Sequence, residues 1–361
     1  MHNLANLPTF SLLQLGFGLL FLVLGAELLV RAAVRLALRL HVRPLVIGLS
    51  LVAFGSTAPQ LTVSLQASYQ GAPDVAVGSV IGSNIFNVLV VLGLAALIIP
   101  LRVSRQLVRL DLPLMIAASV LVALLALDRE LGRLDGALLL LGLLAYLGML
   151  WHQSRHYARI YPAPSAASPH RARFWALTCA QVLLGLVLLS VAGHFLLEAA
   201  VEVATDLGLS ERVIGLTVVA VCTSLPELAA ASIAALRGER DIAVGTVIGS
   251  NLFNLLAVLG LTAVTAPQAL SISPNALDFD LPVMCGVALL SLPVFYSGYR
   301  ITRVEGLVLL CLYLAYGLHV VSFTTGMPLA GRVEQLMLHY VLPVLAVGLT
   351  VTTVRAWRRQ H

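Results

Sequence analysis

Two short segments of this chain carry the residue types that bind hard cations. Ala53-Phe-Gly-Ser-Thr-Ala-Pro-Gln and Ala220-Val-Cys-Thr-Ser-Leu-Pro-Glu each place two hydroxyls, a proline and a carboxamide or carboxylate within eight residues. Residues three and four apart share a helix face, so Ser56, Thr57 and Gln60 project together, as do Thr223, Ser224 and Glu227. A proline inside a helix donates no hydrogen bond to the carbonyl four residues back. Pro59 and Pro226 are therefore expected to free the carbonyls of Gly55 and Cys222 and to loosen the turn. Two further segments supply Ser83 with Asn87 and Ser250 with Asn254, each pair one helical turn apart. Asn84 and Asn251 sit one position round and are expected to bond to adjacent helices. Hydroxyl, amide, carboxylate and carbonyl oxygens suit calcium, which takes about six to eight of them, and sodium, which accepts similar oxygens at lower total charge. Neither thiol nor imidazole is needed for such a cluster.

The elements that must position these groups are membrane helices. The 361 residues are 59% hydrophobic and only 11% charged, with a mean hydropathy of +0.96, far from the roughly 25% charged residues of a soluble domain. Apolar runs long enough to cross about 30 Å of hydrocarbon recur along the whole chain. They predict spans near 11–31, 44–69, 75–99, 110–128, 134–152, 174–205, 213–236, 241–265, 278–297, 303–323 and 337–356. Met1 to Phe10 holds no Lys or Arg, which argues against a cleavable signal peptide, so the first helix is expected to stay. All 22 basic residues are arginine and fall mainly in alternate loops, although the Arg102 to Arg109 group breaks strict alternation. By the positive-inside rule this places the N-terminus outside and the C-terminus in the cytoplasm. The net charge of +5 thus reports topology, and the basic residues form no patch with interleaved aromatics that would suit a nucleic acid. Cys179, Cys222, Cys285 and Cys311 each lie within a predicted span without CxxC spacing.

An internal repeat organises these spans. Asp74-Val-Ala-Val-Gly-Ser-Val-Ile-Gly-Ser-Asn-Ile-Phe-Asn returns 167 residues later as Asp241-Ile-Ala-Val-Gly-Thr-Val-Ile-Gly-Ser-Asn-Leu-Phe-Asn, and Val46-Ile-Gly-Leu returns as Val213-Ile-Gly-Leu. Asp111-Leu-Pro and Ala145-Tyr return as Asp280-Leu-Pro and Ala315-Tyr. The duplicated unit holds five helices, an odd number, so the second copy enters the membrane from the opposite side. The expected architecture is an all-α integral membrane protein of two inverted five-helix repeats, ten core transmembrane helices, plus an eleventh C-terminal helix. Residues 1–153 form the first repeat and 154–173 a cytoplasmic linker containing Pro162, Pro164 and Pro169. Residues 174–325 form the second repeat, and 326–361 the extra helix and tail.

The duplicated proline and GSN segments resemble the paired α-repeats of the sodium/calcium exchanger family, in the Ca2+/cation antiporter superfamily, in its prokaryotic form. The resemblance spans both repeats, hence most of the chain. It implies four ion sites between helices two, three, seven and eight, and alternating access by sliding of helices one and six across that bundle. By motif position, Ser56, Thr57, Gln60, Ser83 and Asn87 correspond to ligands of the first repeat, and Thr223, Ser224, Glu227, Ser250 and Asn254 to those of the second. The carbonyls of Ala53 and Ala220 are implied as further sodium ligands. This chain departs from the family in having Gln60 where the first repeat usually carries Glu, and Asn254 where Asp is often found. Glu227 alone remains charged, so weaker calcium affinity than in a multi-carboxylate site is expected, and protons are expected to compete for it.

Each of these features also has a structural explanation. Ser, Thr and Gly in membrane helices commonly serve close packing, which is the natural reading of Gly78, Gly82, Gly245 and Gly249. Asp111 and Asp280, each before Leu-Pro at a helix start, read as N-caps. Glu27, Glu198, Glu202 and Asp206 read as solvated helix ends, with an ion entrance as the alternative. His194, His319 and His339 read as core or interface residues, and Asp135 with Arg133 and Glu305 with Arg303 as surface ion pairs. No nucleophile–base pair, HExxH or GxxxxGK[ST] loop is visible, so no enzyme activity and no cofactor are expected. The function expected is a secondary active antiporter exchanging Ca2+ for Na+ in a prokaryotic inner membrane, its partners being lipid and the transported cations. The alternatives are H+ coupling, another cation pair, or a sensor of the same fold that has lost transport.

Overall fold

The computed structural model describes residues 9–160, 171–206, 218–296 and 298–325, together with 332, 335 and 336. Ten helical segments follow in order: α1 (Thr9–Leu40), α2 (Pro44–Tyr69), α3 (Pro73–Ile98), α4 (Leu107–Asp128), α5 (Arg133–Ile160), α6 (Arg171–Asp206), α7 in two pieces (Ala220–Thr223 and Leu225–Leu236), α8 (Arg240–Thr265), α9 (Ala276–Tyr296) and α10 (Arg303–Thr325). Nine of these, all but α7, have the length and apolar composition to cross a membrane within the described residues. The expected eleventh span at 337–356, with His339, lies outside the described residues.

Inversion is visible in how equivalent helices meet. Gln14 donates to Glu198 at 3.0 Å and Arg35 to Gln181 at 2.9 Å, so α1 runs antiparallel to α6, its counterpart in the other half. Their backbones cross where Gly25 faces Gly185. The contact of Gly93 on α3 with Gly306 on α10 is repeated by Gly260 on α8 with Gly136 on α5. Two short antiparallel ribbons stitch the halves together: β1 (Leu101–Arg102) pairs with β4 (Arg300–Ile301), and β2 (Glu130–Leu131) with β3 (Leu270–Ser271). The two ribbons are counterparts of each other: β1 and β3 follow the equivalent helices α3 and α8, and β2 and β4 precede the equivalent helices α5 and α10.

Several expectations need correction. The first span continues past residue 31 to Leu40, because Arg31, Arg35 and Arg39 hold their charges outward from the helix rather than in a loop. Arg31 pairs with Glu27, and Arg39 lies over the Phe174 ring. α5 continues to Ile160 and α6 begins at Arg171, so both helices extend into the 154–173 stretch. Glu27 and Glu198 are not at solvated helix ends. Glu27 accepts from Arg31 and Arg237, and Glu198 accepts from Gln14 and lies 3.2 Å from His194. His194 itself is two-thirds exposed rather than in the core, whereas His319 stacks on Phe279. Asp135 and Glu305 reach back to the backbone N–H groups of Gly132 and Thr302, the return arm of a capping box.

Asp111 and Asp280 are not N-caps either. Each is buried, because a wide π-turn extends its helix upstream, over Leu107–Asp111 and Ala276–Asp280. Asp280 accepts from Tyr316 Oη at 2.9 Å and Asn275 Nδ2 at 3.4 Å. The Tyr146 hydroxyl, equivalent to that of Tyr316, has no hydrogen-bond partner, so Asp111, the counterpart of Asp280, receives no donor from it. Losing a donor to a buried acid costs about 1–3 kcal/mol. Tyr316→Phe is therefore expected to lower stability by about that amount, and Tyr146→Phe to leave it nearly unchanged. Thermal unfolding in detergent measures both, and equal shifts would contradict the asymmetry.

Candidate cation-binding site

The buried heart of the molecule is where α2, α3, α7 and α8 meet. Their apolar surfaces pack on protein rather than lipid, above all in α8, whose hydrophobic window is buried along its whole length. Ser56, Thr57, Gln60, Ser83, Asn87, Thr223, Ser224, Glu227, Ser250 and Asn254 all come into this region, and none is more than 3% exposed. Hydrophobic burial of the four helices carries these polar groups inward, and each then needs a partner.

Among these hydroxyls, three contacts cross between the halves, Ser56 with Ser250 and Ser83 with both Thr223 and the Ala220 carbonyl. Ser56 Oγ lies 3.2 Å from Ser250 Oγ. Ser83 Oγ donates to Gln60 Oε1 at 3.1 Å and lies 3.4 Å from Thr223 Oγ1. The Ala53 carbonyl accepts from Ser56 and Thr57, and the Ala220 carbonyl from Thr223, Ser224 and Ser83. Thr57, Thr223 and Ser224 also donate to the carbonyl four residues back on their own helices, as Ser119, Thr246 and Thr265 do elsewhere, the ordinary fate of a hydroxyl in a membrane helix.

The four asparagines form a second layer. Asn87 Nδ2 donates to Asn251 Oδ1 at 3.1 Å, and Asn254 Nδ2 to Asn84 Oδ1 at 3.3 Å. Asn84 and Asn251 also reach adjacent helices, donating to the sulfurs of Met284 and Met115, which are repeat counterparts of each other. Asn87 and Asn254 each open a π-turn, Asn87–Val91 and Asn254–Val258. Such turns turn a side chain out of the regular helical register and occur often at functional sites; nothing in the apolar sequence around them signalled this.

The proline motifs diverge. α2 stays helical through Pro59, whereas α7 breaks at Ser224, with φ −95° and ψ 0°, and restarts at Leu225 with Pro226 in its first turn. Glu227 therefore sits in the first turn of a new helix, where the helix dipole favours a negative charge. Three buried oxygens are left without donors: Glu227 Oε2, Asn87 Oδ1 and Asn254 Oδ1, from α7, α3 and α8. Among the described residues no group of three or more His, Cys, Asp or Glu side chains forms. A cation here would be held mainly by amide, hydroxyl and main-chain oxygens, a set suited to hard cations.

Residues 10–152 and 177–322 match the family described as sodium/calcium exchanger protein. The chain belongs to that family. It is 33% identical over 350 residues to the sodium/calcium exchanger MaX1 of Methanosarcina acetivorans, covering 85% of this chain and 97% of that one. It is 39% identical over 282 residues to the inner membrane protein YrbG of Escherichia coli, covering 76% and 85%. A solved structure of the sodium-calcium exchanger NCX_Mj superposes with a TM-score of 0.70 at 27% identity, covering 84% of this chain and 96% of that one. Family and fold together make this a multi-pass membrane cation antiporter.

Proposed function

We propose that this antiporter exchanges Ca2+ for Na+ by alternating access, with the cations held between α2, α3, α7 and α8 and Glu227 as the single carboxylate. The observation that supports the reading is that three buried oxygens without donors, one of them on Glu227, sit on three of the four helices that meet here, beside a shell of hydroxyls and carbonyls. A carboxylate in this setting costs several kcal/mol unless a cation compensates it. In this reading Ser56, Thr57, Gln60, Ser83, Asn87, Thr223, Ser224, Ser250, Asn254 and the Ala53 and Ala220 carbonyls line the path of the ions. The two halves, residues 1–153 and 174–325, act as the two arms of the exchange cycle, and the arginine-rich loops face the cytoplasm. A lone carboxylate also accepts a proton in place of a cation, which keeps proton coupling as the rival.

Radiolabelled calcium uptake into proteoliposomes separates these readings. Uptake is expected under an outward sodium gradient and not under a pH gradient alone. Uptake driven only by protons would move the coupling to protonation of Glu227, and no uptake under either gradient would overturn the calcium reading.

A further inference from the structure

An asparagine amide has two unlike ends. Its oxygen attracts a cation, whereas its nitrogen carries partial positive charge and only donates. Which end of Asn87 and of Asn254 is free therefore decides whether these residues can hold an ion, and their asparagine neighbours settle it. Asn251 Nδ2 donates to the main-chain carbonyl of Asn84 at 3.3 Å and to Met115 Sδ at 3.6 Å. Neither a carbonyl oxygen nor a thioether carries a hydrogen, so the amide turned over would set its oxygen against two acceptors. No rotatable hydroxyl enters the choice.

The order passes on to the next residue. With its nitrogen anchored, Asn251 turns Oδ1 to Asn87, which donates from Nδ2 at 3.1 Å and is left with Oδ1 unpartnered. The other half repeats the arrangement. Asn84 Nδ2 donates to Met284 Sδ at 3.7 Å, Asn84 Oδ1 accepts from Asn254 Nδ2 at 3.3 Å, and Asn254 Oδ1 is left unpartnered. Asn84, Asn87, Asn251, Asn254, Met115 and Met284 are each at most 3% exposed, so partners inside the protein decide how each amide lies. The two sulfurs come from α4 and α9, helices outside the four that surround the cluster.

We infer that Asn251 and Asn84 are positioning residues of the exchanger: backed by Met115 and Met284, they hold the amides of Asn87 and Asn254 with oxygen, not nitrogen, available to a cation. The inference rests on the reading of this cluster as the cation site and adds to it residues that touch no ion. Without Asn251, Asn87 loses the acceptor that holds its nitrogen, and its amide is free to turn and offer that nitrogen to the ion. Calcium binding then weakens although every ligand is still present.

The test is the calcium dependence of sodium-driven uptake by the full-length protein in proteoliposomes. Asn251→Leu is expected to raise the half-saturating calcium concentration about tenfold and to change the maximal rate by less than about twofold. A carboxylate presents an oxygen whichever way it lies. In an Asn87→Asp background the same Asn251→Leu change is therefore expected to shift half-saturating calcium by less than about twofold. A packing role for Asn251 would weaken both backgrounds alike, so equal shifts in the two, or no shift in the wild-type background, would overturn the inference while leaving the antiporter reading in place. A wild type that takes up no calcium under a sodium gradient would remove both together. Should Asn251→Leu fail to fold, Met115→Leu decides instead, since it keeps the volume and removes one acceptor of the Asn251 amide. It is expected to raise half-saturating calcium about threefold in the wild-type background and not in the Asn87→Asp background, and an unchanged value in the former would overturn the inference.

Discussion

Glu227→Gln is expected to abolish calcium exchange in proteoliposomes while leaving a folded, monodisperse protein. The substitution keeps the shape and the burial of the side chain and removes the cluster's one acidic group. Taking away one partner of a buried charge pair costs about 3–5 kcal/mol, so calcium affinity should fall by at least roughly 100-fold. Ligand binding to the native state raises stability in proportion to the logarithm of ligand over dissociation constant. Calcium should therefore raise the unfolding temperature of the wild type and leave that of the variant unmoved. Folding should survive because the loss is confined to an oxygen that has no internal partner. Should the variant exchange calcium as fast as the wild type, the role given to Glu227 would be wrong.

The repeat, the two proline motifs and the GSN segments were legible in the sequence because duplicated polar residues inside apolar spans stand out against hydrocarbon. What hydropathy does not encode is which side of a helix meets lipid. The most apolar 18-residue stretches of α6 and α8 have mean hydropathies of 2.1 and 1.9, yet the first is 17% buried and the second entirely so. To an apolar side chain, lipid tails and a protein interior are equivalent solvents, and only the assembled fold separates them.

The same blindness explains the errors at Asp111 and Asp280. Asp-Leu-Pro is a local pattern that a helix start also produces, and the π-turns that draw both acids into the interior leave no trace in composition. Ser64 and Ser79 were missed for a related reason. Taken singly, each is one more serine in a membrane helix, and their meaning appears only when Gln60 is seen to spend its amide hydrogens on them. The repeat carried usable information here, since Ala231 in place of Ser64 marks a point at which the two halves differ beside Glu227 and Gln60.

Gly249→Val is expected to be the most damaging substitution outside the polar cluster. A Cβ at this position would lie 2.7 Å from Leu49 O, 2.8 Å from Leu49 Cα and 2.7 Å from Ala53 Cβ. Two of those atoms are backbone, so no rotamer change relieves the clash and α2 must move away from α8. Gly245 repeats the contact one turn earlier, 2.9 Å from Leu45 O, which makes the two helices parallel neighbours along this seam. Overpacking of this kind costs about 3 kcal/mol, the upper end of the usual range. Gly286, where an added Cβ meets nothing within 4 Å, supplies the control: Gly286→Ala should unfold at the wild-type temperature. The effect on transport should exceed the effect on stability. Gly249 precedes Ser250, whose hydroxyl lies 3.2 Å from Ser56 across the same seam, and separating the helices pulls the two halves of the cluster apart. A Gly249→Val protein with wild-type unfolding temperature and wild-type exchange would show that the α2–α8 contact does not hold the site together.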